Sequence, residues 1–153
     1  MNIASLSENK EIEKRLAITP EITKKYIDLG LNLFLPNNYG SHLGFNDDEY
    51  KSHGVNFLDS DEEIINKADI IVQLGMLEDK RLSLYRENQT LVRSLDSFSN
   101  KEKIKSLNSK KINCFSLEML PRITRAQSMD ILSSQANLAG YKAVIEAFQV
   151  YER

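Results

Sequence analysis

The amino-acid sequence predicts an α/β fold, a layered domain with a mostly parallel sheet flanked by helices and ending in a long C-terminal helix. Short apolar clusters rich in β-branched and aromatic residues recur along the chain, and helix-length segments separate them. This alternation is typical of parallel sheets covered by helices on both faces. The last part differs, because residues 133–153 contain no Pro and one Gly, which predicts a single long helix.

The individual elements follow from local signals. Strands are predicted at residues 2–5, 31–35, 55–58, 69–74, 90–95 and 112–117. The clearest helix begins after Thr19, whose hydroxyl can cap it, because Pro20 suits the first helical position and Gly30 is placed to end the helix. Further helices are predicted at residues 47–53, 60–67 and 97–107.

The organisation is predicted as an N-terminal α/β domain at residues 1–132 and a connecting helix at residues 133–153. Small residues recur along that helix at spacings of three and four: Ala136, Ala139, Gly140, Ala143 and Ala147. Small side chains let another backbone approach closely. The stripe therefore packs either on the domain's own sheet or on a second domain or subunit.

Length and composition exclude several functional classes. The chain has 153 residues and a net charge of -2, so it has no electrostatic basis for wrapping nucleic acid or anionic membrane. Its apolar runs reach about five residues, far below the roughly 20 that span a bilayer. The single cysteine and two histidines have no metal-ligand spacing. We expect a soluble protein of a reducing compartment.

The residues that often carry chemistry are sparse. No three of the six glycines form G-x-G-x-x-G or a P-loop, so we expect a flavodoxin- or Rossmann-like domain without the glycine-rich nucleotide loop. His42 and His53 lie in or beside glycine-marked turns, where we expect exposed, structural roles. Cys114 lies in an apolar strand and is expected to be a buried, inert thiol.

One dense polar segment, residues 118–137, follows the last predicted strand and precedes the long helix. Ligands of open α/β sheets bind at the carboxyl ends of strands, so this segment is a candidate site. Arg122 and Asp130 can pair, and Gln127 and Ser133 can hydrogen-bond an amide or a ribose. The alternative is a polar helix cap, with Ser133 or Ser134 capping the final helix and Asp130 opposite its dipole.

Four stretches resemble one enzyme family. They are E-K-R-L-A-I-T-P at 13–20, G-F-N-D-D-E-Y at 44–50 with Gly54, A-D-I-I-V at 68–72, and P-R-I-T-R-A-Q-S-M-D-I-L-S-S-Q-A-N-L-A-G-Y-K-A-V at 121–144. They are similar to segments of alanine dehydrogenases and of proton-translocating NAD(P) transhydrogenase alpha subunits. The alanine dehydrogenases carry a lysine after the strand at 68–72 and a histidine in a later strand. This chain has neither at 72–75 or 90–95, so it resembles the transhydrogenases more closely.

The resemblance implies hydride transfer between NADH and NADP⁺, coupled to proton translocation by the full complex. It implies that Arg122, Asp130 and Ser133 hold the nicotinamide end of NAD(H), and that Gln127 reaches toward NADP(H) presented by a partner subunit. Gln127 and Asp130 are the implied catalytic residues. Arg15 matches an arginine that meets the substrate carboxylate in alanine dehydrogenases, and we expect it to form a structural ion pair here.

The resemblance also implies partners: a NAD-binding domain that would follow the long helix, other transhydrogenase subunits, and a second copy in a homodimer. The location implied is cytoplasmic and peripheral to the inner membrane, with the membrane reached through partner subunits. We expect the chain to be a fragment or a shortened gene product that, alone, binds NAD weakly or not at all. Two alternatives stay open, namely the substrate domain of an alanine dehydrogenase and a non-catalytic truncated binding module.

Overall fold

The computed structural model describes residues 1–75 and 78–151 of the chain. The chain divides into two compact units, Met1–Ser116 and Leu117–Arg153. The predicted domain division at residue 132 stays a prediction.

The first unit is built on a six-stranded sheet in which all neighbouring strands run parallel. The strands are β1 Asn2–Ala4, β2 Asn32–Pro36, β3 Asn56–Leu58, β4 Ile70–Val72, β5 Thr90–Arg93 and β6 Asn113–Ser116. Their spatial order is β3-β2-β1-β4-β5-β6, the order of doubly wound nucleotide-binding folds, whose switch point lies between β1 and β4. The predicted fold class is therefore confirmed.

Six α-helices accompany these strands in the described residues. They are α1 Pro20–Asp28, α2 Asp47–Ser52, α3 Asp61–Lys67, α4 Asp79–Leu82, α5 Lys101–Ser109 and α6 Ile131–Val150. The hydroxyl of Thr19 accepts from the Ile22 amide at 3.4 Å, as the capping signal predicts. Gly30 has φ +77° and ends α1 in a conformation that suits glycine.

The start of the helix predicted at residue 97 is wrong. The backbone turns instead at Asp96, which has φ 45° and whose carbonyl accepts from the amides of Ser99 and Asn100 at 3.0 Å each. These bonds form a separate turn, so α5 begins only at Lys101. The short helix α4 was not predicted, because four residues are too few for a periodic signal.

Two cores lie on the opposite faces of the sheet. Ala4 and Ile71 belong to the core under α3 and α5, which includes Ile64 and Leu107. The adjacent strand residue Ile3 belongs to the other core, on the side of α1 and α2. Since neighbouring side chains of a strand point to opposite faces, this separation confirms helices on both sides of the sheet.

The cysteine prediction is wrong, because Cys114 is exposed. It lies on β6, which ends the strand order and pairs only with β5 among the described strands. An apolar cluster on an edge strand need not be buried. Partial burial of the thiol nevertheless raises its pKa.

The two histidines differ in exposure. His42 is exposed and its Nε2 lies 2.8 Å from the Lys14 carbonyl oxygen, which is a structural contact as expected. His53 is half-buried rather than exposed. It caps the C-terminal end of α2, where its amide donates to the Tyr50 carbonyl at 3.1 Å. Both residues therefore belong to the turns that the neighbouring glycines mark.

The second unit contains two 3₁₀ turns, Leu117–Met119 and Thr124–Met129, followed by α6. The predicted long C-terminal helix is confirmed. None of its described residues is buried, although it carries large apolar side chains such as Tyr141 and Phe148. Among the described residues, no helix combines the length and apolar character that crossing a bilayer requires.

A matched pair of isoleucines tests the core. Ile64 is 0% exposed in the α3 core, whereas Ile12 is 81% exposed. We expect Ile64→Ala to lower the free energy of unfolding by about 2–5 kcal/mol, through lost burial and a residual cavity. Ile12→Ala should change it by about 0.5 kcal/mol or less. Urea denaturation followed by circular dichroism measures both, and equal losses would contradict the assigned core.

Candidate functional site

The carboxyl edge of the sheet, where doubly wound folds bind ligands, is crossed by the protein's own polar side chains. The Glu8 carboxylate, after β1, accepts from the Leu74 amide at 2.7 Å. Arg93, at the end of β5, donates to Gln73 Oε1 at 3.1 Å and to the Gly75 carbonyl. These bonds tie together the ends of β1, β4 and β5.

This network was not identified from the sequence. The available signal was an arginine at the end of an apolar strand and a glutamine directly after another. Both side chains are almost completely buried, with Gln73 1% and Arg93 2% exposed. Buried polar groups of this kind normally have hydrogen-bond partners, so they are expected to organise the strand ends.

The four predicted site residues lie in the second unit, and the structure brings them together. One open cavity of about 300 Å³ is lined by Arg122, Ile123, Thr124, Gln127, Asp130 and Ser133. Ile123 and Thr124 were not singled out from the sequence, although they lie inside the same polar run. The structure thus places the four residues around one open cavity, whereas their cofactor roles stay predictions.

Asp130 lines this cavity and also fixes the start of the helix α6. It is the N-cap of α6, and its Oδ1 accepts from the amides of Leu132 and Ser133 at 3.0 Å each. Its Oδ2 accepts from the Ser133 hydroxyl at 2.6 Å. Three hydrogen bonds to one carboxylate fix its rotamer and also fix the start of the helix.

The expectation of a direct pair between Arg122 and Asp130 is wrong. No ion pair joins them in the portion of the chain that the structure describes, and the carboxylate is engaged by the helix end instead. The capping alternative also needs correction, because the cap is Asp130, whereas the Ser134 hydroxyl donates to the Ile131 carbonyl. Capping and cavity lining coexist in one residue.

The electrostatics of the cavity favour an ionised Asp130. The Ser133 hydroxyl hydrogen bond, followed by the backbone bonds of the helix end and the more distant charge of Arg122, lowers the pKa of this carboxyl group. The cavity therefore offers a fixed carboxylate, an arginine, a side-chain amide and a hydroxyl. Such a set can accept from and donate to a planar amide group.

Gln127 lies on a turn that holds it beside Asp130. Ala126, which is 4% exposed, anchors this 3₁₀ turn, and its amide donates to the Ile123 carbonyl at 2.9 Å. The Gln127 carbonyl oxygen accepts from the Asp130 amide at 3.4 Å. Gln127 itself is exposed to solvent.

The expectation for Arg15 is confirmed, because it forms an ion pair. Its Nη2 lies 2.6 Å from Glu13 Oε2 and its Nε donates to Glu13 Oε1 at 2.9 Å. This contact, mainly its side-chain hydrogen bond, raises the pKa of Arg15 and lowers that of Glu13. Arg15 is thus held by a neighbouring carboxylate two residues away.

Comparison with known proteins identifies the family to which the chain belongs. The sequence model of the alanine dehydrogenase/PNT N-terminal domain matches residues 5–139. The chain therefore belongs to this family of N-terminal domains.

Individual relatives agree with this assignment. The chain is 40% identical over 157 residues to the first part of NAD(P) transhydrogenase subunit alpha from Rickettsia prowazekii, a match that covers 100% of the chain and 41% of that relative. The structure of a transhydrogenase from Sinorhizobium meliloti superposes with a TM-score of 0.88 and 34% identity, over 100% of the chain and 46% of that protein. An L-alanine dehydrogenase superposes with a TM-score of 0.72 and 20% identity, over 77% and 32%, which concerns the fold.

These matches confirm the resemblance to transhydrogenase alpha subunits. The chain spans 41% of the length of its Rickettsia prowazekii relative. These matches therefore show the family of this segment, and they do not show that the segment has the activity of the complete relatives.

The Asp130–Ser133 contact is tested by a pH titration. The lowered pKa means that the carboxylate stabilises the helix start fully above the ordinary value of about 3.9, and that this contribution is lost as the pH falls through the folded value. Ser133→Ala removes the first cause of the shift, so the Asp130 pKa should rise toward its ordinary value. Carboxyl ¹³C NMR measures it.

Ser134→Ala is the matched control, because the Ser134 hydroxyl donates to the Ile131 carbonyl rather than to Asp130. It should leave the Asp130 titration unchanged. An Asp130 pKa that is the same in the native chain and in Ser133→Ala would refute the cap geometry described here.

Proposed function

We propose that this chain is the N-terminal part of an NAD(P) transhydrogenase alpha subunit. In the complete complex it would take part in hydride transfer between NADH and NADP⁺, coupled to proton translocation elsewhere in the assembly. The observation that supports this most is the gathering of four polar side chains around one cavity, Arg122, Gln127, Asp130 and Ser133. The names of the relatives supply the class of reaction.

The side chains of the cavity suit the nicotinamide end of NAD(H). A carboxamide presents one carbonyl acceptor and one NH₂ donor, and the cavity has both kinds of partner. Arg122 donates, the Asp130 carboxylate accepts, and Gln127 does both. Bound NAD(H) would supply the hydride, which is the chemistry of the cofactor. The proposed task of these residues is to fix the ring's rotation and position.

The rigidity of the Asp130 cap supports this assignment. Hydride transfer requires two rings held in a near-attack geometry with water excluded. A carboxylate already fixed by two amides and a hydroxyl loses little further freedom when a ligand binds. We assign Asp130 and Ser133 to holding the NAD(H) ring, and Gln127 to the side facing NADP(H) from a partner subunit.

The proposal includes partners that provide what this sequence lacks. A pyrophosphate is normally held by a glycine-rich turn at a helix N-terminus, and the six glycines here form none. We propose that a NAD-binding domain and further transhydrogenase subunits complete the site, in an assembly containing two copies of this chain. The proposed location is the cytoplasmic side of the inner membrane, which the chain reaches through those subunits.

The alanine dehydrogenase alternative has less support from the side chains. Residues 72–75 contain no lysine and residues 90–95 contain no histidine. The non-catalytic alternative is separated from our proposal by the kinetic experiment below.

Gln127→Asn tests the proposed site in an assembled transhydrogenase that carries this segment. Shortening the side chain by one methylene retracts the amide from the second ring. We expect the turnover number to fall about 10- to 100-fold, as misplacements near 1 Å do, with NADH affinity changed by less than about threefold. Steady-state kinetics and calorimetric NADH titration measure the two quantities separately.

Gln135→Asn is the matched control, because Gln135 lies on α6 and does not line the cavity. Its turnover should stay at the native value. Native turnover in Gln127→Asn would refute the catalytic assignment, and a purely structural effect would lower turnover in both variants alike.

A further inference from the structure

A second polar cluster lies inside the first unit, on the α3 and α5 side of the sheet. Ile71 of β4 is the register partner of Leu91 of β5. Two residues further along the chain come Gln73, which directly follows β4, and Arg93, the last residue of β5. Their side chains meet in a 3.1 Å hydrogen bond. Tyr85 packs into the same core and interacts electrostatically with Arg93. We call Gln73, Tyr85 and Arg93 the Arg93 cluster.

Every member of the Arg93 cluster has a buried polar atom without a hydrogen-bond partner. These atoms are Gln73 Nε2, the Tyr85 hydroxyl and Arg93 Nε. The three residues are only 1%, 4% and 2% exposed, respectively. Because leaving such groups unpaired is costly, each calls for a partner. Since all three atoms can donate a proton, the missing partner is rich in acceptors.

The positive charge of Arg93 also favours a partner that is rich in acceptors. In residues 1–75 and 78–151, no carboxylate forms an ion pair with Arg93. By contrast Arg81, 7% exposed, donates to Asp61 Oδ2 at 2.8 Å. Burial is the main cause that lowers the pKa of Arg93, and Tyr85, Glu8 and Glu78 act on its charge only at longer range. A buried guanidinium without a counter-ion is strongly disfavoured.

We propose that the Arg93 cluster binds a small monovalent anion of the size of chloride or formate. The burial of all three side chains limits the size of the ligand, and the excess of donors selects an anion over a cation. The anion balances Arg93 and links the carboxyl ends of β4 and β5. The cluster shares no residue with the cavity of residues 122–133, and the proposal does not depend on the proposed function.

Thermal unfolding of the native chain in three sodium salts tests the proposal. Chloride, formate and gluconate are compared at equal ionic strength and pH 7, since gluconate is too large for the cluster. A ligand that binds only the folded state raises Tm with its concentration. We expect a saturable rise of about 5–10 °C at roughly 100 times the dissociation constant. Comparing chloride with formate shows whether the site prefers a halide or a carboxylate.

Gln73→Glu locates the effect. This nearly isosteric change places a carboxylate beside Arg93, so it should raise Tm in gluconate and abolish the response to chloride and formate. Arg93→Met is a second variant, which should also lose the response if the first does not fold. Arg86→Gln is the control, because Arg86 is an exposed arginine that donates to the Ala68 carbonyl, and it should keep the native response.

Two results would overturn the proposal. Equal Tm values of the native chain in all three salts would mean that Glu8 and Glu78 balance Arg93 from a distance. A native-sized anion response in Gln73→Glu would place the bound anion elsewhere on the chain.

Discussion

The structure depends on one constraint, namely that a fully parallel sheet must be covered on both faces. The central strand β1 shows this most directly, because adjacent residues Ile3 and Ala4 belong to opposite cores. Each strand is only three to five residues long, so few side chains satisfy the requirement. The polar ends of the strands are bridged by side chains such as Glu8 and Arg93.

Local chemistry made much of this fold predictable. Thr19 and Pro20 determine where α1 begins, and Ser60, whose hydroxyl accepts from the Glu63 amide at 3.2 Å, does the same for α3. The turn at Asp96 was not predictable, because its positive φ occurs at a residue that no pattern distinguishes. Cys114 was misassigned for another reason: periodicity identifies a strand, whereas the position of that strand in the sheet decides its burial.

For the candidate cavity, the sequence predicted which polar residues come together but not how they pair. Its four polar residues lie within twelve consecutive positions of the chain, and chain proximity brings them together without any long-range contact. The pairing inside the cavity was harder, since Arg122 and the α6 amides compete for the same carboxylate. The amides lie two and three residues from Asp130. They bind its carboxylate because the helix already holds them in place. The Arg93 cluster joins positions twenty residues apart, which no local pattern could associate.

The exposed edge strand has a practical consequence. Because the chain has one cysteine and Cys114 is accessible on β6, a single fluorophore or spin label can be attached at a defined place on the sheet. The raised thiol pKa makes the thiolate scarce at neutral pH, so mildly alkaline buffer would speed maleimide coupling. A reporter at this strand would sense the first unit directly and leave residues 122–133 chemically untouched.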